Sequence, residues 1–236
     1  MNSKSRTTDV DTIKKAVLKH LGVKPKVLIS VPNLGEIDRF VVARLFELYD
    51  DDRFDSKLAF PSTTPSEACR SHALRQFLAG EFEWWLSIDA DNPPAGNPLD
   101  LIDYDCDLVG CPTPVWRHNS RDEPTLTWNA YRKHKDGYEP LPMRPGVGME
   151  EVDAIGTGCF LAHRRIFAGD VLERPFQRLW NPDGTVELGS DLAFCERVKA
   201  AGFKVHVHWG YPCNHFSTVN LADVMAIVGR ARKGEP

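Results

Sequence analysis

The sequence predicts an α/β fold built on a mostly parallel sheet, on three observations. Apolar runs of four to six residues alternate with amphipathic stretches through the first ninety residues. The runs end abruptly at Pro, Asn or Asp rather than tapering. One of them, Trp84 to Ile88, runs straight into the acids Asp89 and Asp91, followed by Asn92 and Pro93-Pro94. In open α/β sheets ligands gather outside the carboxyl ends of strands, so this run is the stretch around which function is expected.

Asp9 to Leu21 places Val10, Ile13, Val17, Leu18 and Leu21 at helical spacing before Gly22, which predicts a helical extension over residues 1–24. The main domain is expected over 25–236. Lys26 to Val31 reads as the first strand, stopped by Pro32-Asn33. Ile37, Phe40, Val41, Leu45 and Leu48 form one helical stripe. Lys57 to Phe60 is a short strand. A helix capped by Ser66 follows, with Cys69, Ala73, Phe77 and Leu78 inward and Gly80 as its stop. Asp107 to Gly110 reads as a strand. Residues 111–148 hold six prolines with Trp116, Trp128, Tyr131 and Tyr138, and keep no clear period, the mark of a functional loop region or of short hairpins. Val152 to Arg165 is strand-like with Gly156 and Gly158 inside it, which marks a bulge or a close approach of a ligand. Gly189-Ser190-Asp191 opens a helix, Lys204 to Trp209 alternates like a strand, and Leu221 to Val228 reads as a last helix with a basic, frayed end.

Composition narrows the function classes. Lys and Arg number 29 against 33 Asp and Glu, a net charge of −4, which argues against a broad nucleic-acid surface. No apolar stretch is long enough to span a bilayer, and Met1 to Gly22 lacks the apolar core of a secretion signal, so the expected location is cytoplasmic. Six scattered cysteines with no Cys-x-x-Cys pair are expected to be reduced and mostly buried.

Two carboxylates spaced i, i+2 at a strand end repel each other unless a cation or proton joins them. A hard divalent ion shared with phosphate oxygens is the natural third party, and a turn with solvated acids is the alternative. His206 and His208, two apart on one strand, with Cys213 and His215 nearby, also offer a zinc-type donor set.

Five features fall in order: the strand ending Ser30-Val31-Pro32-Asn33, the helix carrying Arg70, the Ser-Ile-Asp-Ala-Asp-Asn strand end, Ile-Gly-Thr-Gly-Cys-Phe-Leu from Ile155, and Ser190-Asp191 opening a helix before a late His215. Over roughly Lys26 to Phe216 this order resembles the nucleotide-diphospho-sugar transferases of the GT-A fold, family 2 above all. The resemblance implies a GT-A domain with a mostly parallel, Rossmann-like sheet flanked by helices. It implies transfer of a sugar from a nucleotide diphosphate donor to a hydroxyl acceptor, with Mn²⁺ or Mg²⁺. The acceptor is open between glycan, lipid, protein and modified base.

By the same resemblance Asp91 is a direct metal ligand, Asp89 contacts ribose or metal, and His215 is a further ligand. Pro32, Asn33, Arg70 and Ala90 belong to the nucleotide site. Gly156, Thr157 and Gly158 run beneath the donor sugar, and Asp191 is the base of an inverting reaction. Ser190 stands where the family carries a first acid. Two other classes fit parts of the pattern: a nucleotidyltransferase, for which the Pro-Asn-Leu-Gly-Glu turn lacks a basic phosphate loop, and a non-catalytic nucleotide- or glycan-binding protein.

Overall fold

The computed structural model describes residues 21–118, 123–135, 137–167, 171 and 173–234. The expected helix over Asp9 to Leu21 lies outside the described residues, apart from Leu21.

The chain opens with strand β1 (Lys26–Ser30), helix α1 (Arg39–Tyr49), β2 (Asp55–Ala59), α2 (Ser66–Ala79) and β3 (Trp84–Ile88). A 3-10 turn over Pro98–Tyr104 leads to β4 (Leu108–Gly110). The proline-rich region then forms short hairpins: β5 (Pro114–His118) with β6 (Pro124–Trp128), and β7 (Ala130–His134) with β8 (Gly137–Pro140). Next come β9 (Met149–Val152), β10 (Ala154–Ile155) and β11 (Cys159–His163). A small ribbon of β12 (Leu179–Trp180) and β13 (Val186–Leu188) precedes α3 (Ser190–Ala200), β14 (Val205–His208) and α4 (Leu221–Lys233).

Seven strands make the main sheet in the order β2-β1-β3-β11-β4-β14-β9. β1 pairs parallel with β2 and β3, and β14 pairs parallel with β4. β11 is antiparallel to both β3 and β4, and β9 is antiparallel to β14. Five strands therefore share one direction and two run against it. The expected mostly parallel sheet is thus partly mixed and not clearly Rossmann-like: the glycine-bearing stretch turns at Gly156–Gly158 and returns through the middle of the sheet as β11.

Strand alternation divides the core between the two faces of the sheet. Trp84, Leu86 and Ile88 join Val27, Ile29, Val41, Leu45 and Leu48 on one side. Trp85 faces the other with Leu28, Phe77, Phe160 and Phe194. Both tryptophans are at most 1% exposed. The buried indole of Trp85 donates to Ser30 Oγ at 2.8 Å, as a buried N–H requires.

Helix ends depart from the local signals. Ser66 does not cap α2, whose N-cap is Pro65 with no side-chain cap bond. Gly80 does end α2, but with extended backbone (φ −92°) rather than a left-handed glycine cap. The orphan carbonyls there are met from a distance in sequence. Arg164, just after β11, donates through Nη1 to the carbonyls of Gly80 (2.7 Å), Phe82 (3.0 Å) and Phe77 (3.2 Å) and through Nη2 to Leu78 (2.7 Å). Its guanidinium also lies over the Phe77 ring. A cation suits the negative end of a helix, so this one side chain ties α2 to the reversed strand.

Replacing Arg164 by Met keeps the stem over Phe77 and removes every donor. We expect a loss of about 2–3 kcal/mol, the scale for a hydrogen-bonded charge whose partners stay partly buried. Urea unfolding with an unchanged m-value checks it. A loss below about 0.5 kcal/mol, the range of neutral surface changes, would show that water serves these carbonyls equally well.

Candidate functional site

A cleft of about 470 Å³ opens outside the carboxyl ends of β1 and β3. Pro32, Asn33, Arg70, Asp89, Ala90 and Asp91, all anticipated from the sequence, line it. Leu34, Glu36, Ile37, Asp38 and Phe216 line it as well and were not anticipated. Leu34 is 74% exposed in the turn after β1. Phe216 stacks on Phe40 with ring centroids 5.3 Å apart.

Local hydrogen bonds hold the walls. Asn33 spends its side chain on its own loop: Nδ2 donates to the carbonyls of Val31 (3.0 Å) and Pro61 (3.3 Å), and Oδ1 accepts from Gly35 N–H (2.9 Å). Its amide thus braces the turn. Asp38 caps α1 by accepting from Phe40 N–H at 2.7 Å, and its own N–H donates to the Ala90 carbonyl at 2.8 Å. The acidic loop is thereby fastened to the start of α1.

Arg70 is central to the charge pattern. It is 6% exposed, and its Nη2 lies 2.7 Å from both oxygens of Asp89. Its Nε–H is buried without a partner. Asp89 is held on this guanidinium, yet burial outweighs the pull of Arg70, and Asp191 and Asp91 add repulsion, so its carboxyl is pushed up to about 6. Three acids thus act on one site that contains a single buried cation.

The segment after β14 completes the site. Ala95 N–H donates to Pro212, Asn214 N–H to Pro93 and Phe216 N–H to Asp91, at 2.9, 3.0 and 3.0 Å. This antiparallel run sets the His215 ring against Asp91, with Nε2 3.6 Å from Oδ2. The other ring nitrogen, Nδ1, lies 2.8 Å from the Pro114 carbonyl. If Nδ1 carries the proton for that bond, the Nε2 lone pair is left facing the carboxylate. An ion bonded to both at about 2.1 Å spans a donor separation of roughly 3–4 Å, so the pair fits one. Without an ion, the neighbouring Asp91 carboxylate raises the pKa of His215 above the ordinary imidazole value, against the opposing effect of burial.

Asp191 lies at the start of α3, whose N-cap is Gly189. Ser190 does not cap the helix; its hydroxyl points to Asp191 Oδ1 at 3.2 Å. Thr157, 1% exposed, donates from Oγ1 to Asp191 Oδ1 (2.7 Å) and from its backbone to Oδ2 (3.3 Å). The glycines on either side of Thr157 permit close approach, but of protein side chains: a Cβ on Gly156 would lie 2.5 Å from Asn129 Nδ2, and one on Gly158 2.7 Å from Asn92 Nδ2. Gly156, Thr157 and Gly158 do not line the cleft. They connect to it through the backbone, since Gly158 accepts from Asp89 N–H at 2.7 Å.

The zinc-type set of His206, His208, Cys213 and His215 does not assemble. His208 uses Nε2 toward the Tyr104 hydroxyl (3.2 Å) and Nδ1 toward Gly210 N–H (3.2 Å). Cys213 instead meets Cys111 and Cys159. All six cysteines are free thiols, and five are buried. No helix among the described residues is long and apolar enough to cross a membrane.

No family model matches the sequence, and none of the curated proteins does. Solved structures resemble it in fold. A197 from STIV superposes with a TM-score of 0.54 at 16% identity, covering 82% of this chain and 86% of that one. GalNAc-T7, crystallised with UDP, GalNAc and Mn²⁺, superposes with a TM-score of 0.50 at 12% identity, covering 83% of this chain and 44% of that one. At these identities the likeness is one of fold: the chain has a mixed α/β architecture consistent with the GT-A fold.

Proposed function

We propose that this chain is a glycosyltransferase that moves a sugar from a nucleoside diphosphate donor to a hydroxyl acceptor with the help of a divalent cation. The observation that carries the reading is the pairing of Asp91 with His215 at the mouth of a cleft already crowded with carboxylates. The fold relative that holds UDP, GalNAc and Mn²⁺ supports it.

The donor set fits the cation: one carboxylate oxygen and one imidazole nitrogen face each other, and the excess of acid over base gives a positive charge a reason to bind. Asp91 and His215 would hold it, with Asp89 kept in reserve on Arg70. Bound there, a divalent ion supplies charge neutralisation for the diphosphate leaving group as the sugar–oxygen bond breaks. The protein's own groups do the rest. Arg70, held on Asp89 in the cleft wall, sets a guanidinium charge beside the anionic oxygens of the donor. The apolar faces of Pro32, Ile37 and Phe216 give a flat base somewhere to lie. Asp191, oriented by Thr157, takes the proton from the acceptor hydroxyl as the new bond forms. A non-catalytic nucleotide- or glycan-binding protein is the second reading, favoured by the bonds from Thr157 and Ser190 that occupy Asp191.

The decisive test is a thermal-shift panel of UDP-, GDP-, CDP- and dTDP-sugars with and without Mn²⁺. A ligand at a hundred times its dissociation constant adds about 2.7 kcal/mol, so a true donor is visible. Asp91→Asn should stay folded and lose the metal-dependent part of the shift. Unchanged metal dependence in that variant removes Asp91 from the site.

Proton and cation compete for His215 Nε2. Metal affinity should rise as pH climbs through the raised pKa of His215 and level off above it. In the metal-free protein the sign reverses: the charged His215–Asp91 pair stabilises below the ordinary imidazole pKa, and that contribution is lost as pH rises through the raised one. His215→Gln should flatten both profiles. Calorimetric Mn²⁺ titrations and metal-free melts across pH check this, and an unaltered pH dependence of metal affinity in the variant assigns the ligand elsewhere.

Asp191→Asn separates the two readings. Donor binding should stay near wild type, while transfer to an acceptor falls by about a hundredfold or more, the scale of a positioned base. Near-full turnover would make Asp191 a helix-terminal charge and point to a retaining reaction. Donor binding without turnover by the wild type, across an acceptor panel, would favour the binding protein.

A further inference from the structure

Behind the acidic loop, three thiols from distant parts of the chain meet in the core. Cys111 follows β4, Cys159 opens β11, and Cys213 lies in the segment that carries His215. Their sulfurs lie within 4.8 Å of one another, and the residues are 1%, 0% and 3% exposed. The backbone fixes the trio: Cys111 N–H donates to the Cys159 carbonyl and Cys213 N–H to the Pro112 carbonyl, both at 2.9 Å, while Cys213 bridges to Pro94.

We infer that Cys111, Cys159 and Cys213 form a buried three-sulfur site for a soft, three-coordinate cation, monovalent copper in particular. This goes beyond the sugar-transfer reading and does not depend on it. A trigonal ion with bonds of about 2.3 Å holds its sulfurs about 4.0 Å apart, so the trio needs to contract by less than about 1 Å. Softness excludes Mg²⁺ and Mn²⁺, which prefer oxygen. Structural zinc takes four ligands, and among the described residues no fourth Cys, His, Asp or Glu donor joins the cluster. Monovalent copper accepts three sulfurs. The ion enters already reduced, so no electrons change hands. For each sulfur that binds as thiolate, one S–H bond breaks, one copper–sulfur bond forms and one proton leaves to solvent. Entry requires the segment around Cys213 to lift, which breaks its backbone bonds to Pro112 and Pro93.

The test is an anaerobic titration of the reduced, full chain with Cu(I) against a chelator of known affinity. One equivalent should bind per chain, unaffected by excess Mg²⁺. Cys111→Ser, Cys159→Ser and Cys213→Ser should each weaken it by about a hundredfold or more, beyond what loss of an outer-shell partner costs. Cys106→Ser, outside the trio, should leave it unchanged. Should the serine variants fold poorly, X-ray absorption at the copper edge of the wild-type complex decides, with three sulfur neighbours expected. No stoichiometric binding, binding that survives Cys213→Ser, or a shell of two sulfurs or of nitrogen and oxygen overturns the site and leaves the trio as core packing.

Discussion

A guanidinium buried to 6% exposure needs a counter-charge, and here the counter-charge is Asp89. Removing either partner would strand the other in low dielectric, a loss of several kcal/mol in comparable buried pairs. The pair therefore fixes two elements at once: α2 stands over the end of β3, and the Asp-Ala-Asp turn faces the cleft. Asp91 gains its orientation from this, because the first acid is taken and the second is left toward the opening. The backbone bond from Phe216 to Asp91 then closes the wall. An acid cluster with one matched cation remains short of positive charge, and that deficit is what gives the cleft its chemical character.

What was legible in the sequence was local. The strand ends at Pro32 and Asp89, the stripe of Val41, Leu45 and Leu48, and the helix opening at Ser190 all follow from short-range pattern. So did the gathering of Pro32, Asn33, Asp89, Ala90 and Asp91 in one cleft, since residues at the carboxyl ends of neighbouring strands must meet, whereas Arg70, on α2, was expected there only through the family resemblance. The direction of β11 was not legible, because a strand carries no local mark of whether its partner runs with it or against it. Arg164 likewise gives no hint that it serves carbonyls eighty residues back. The glycines at 156 and 158 signalled close approach correctly, but not that two asparagine side chains would be what approaches.

The prolines of residues 111–148 show a third kind of gap. Their density reads as irregular loop, yet three of the six sit at the ends of hairpin strands, where a missing N–H costs no ladder bond: Pro114 and Pro124 each begin a strand and Pro140 ends one. The trio of Cys111, Cys159 and Cys213 was hidden for a related reason. Its spacing in sequence is that of no metal module, because the sheet rather than a turn brings the sulfurs together.

The segment at 212–216 lies along 93–95 and 91 as a backbone ladder, and this sets the order in which the cleft is finished. During vectorial synthesis the first ninety residues can lay down β1, β2 and β3 with their helices, and so build the floor and one wall. Phe216, which lines the other side, and His215, which faces Asp91, leave the ribosome more than a hundred residues later. Until then the acids are open to solvent and lack their imidazole. Under the proposed function, ligand capture would thereby be tied to completion of the domain: a nascent or clipped chain that stops short of this ladder keeps the acidic loop without its imidazole.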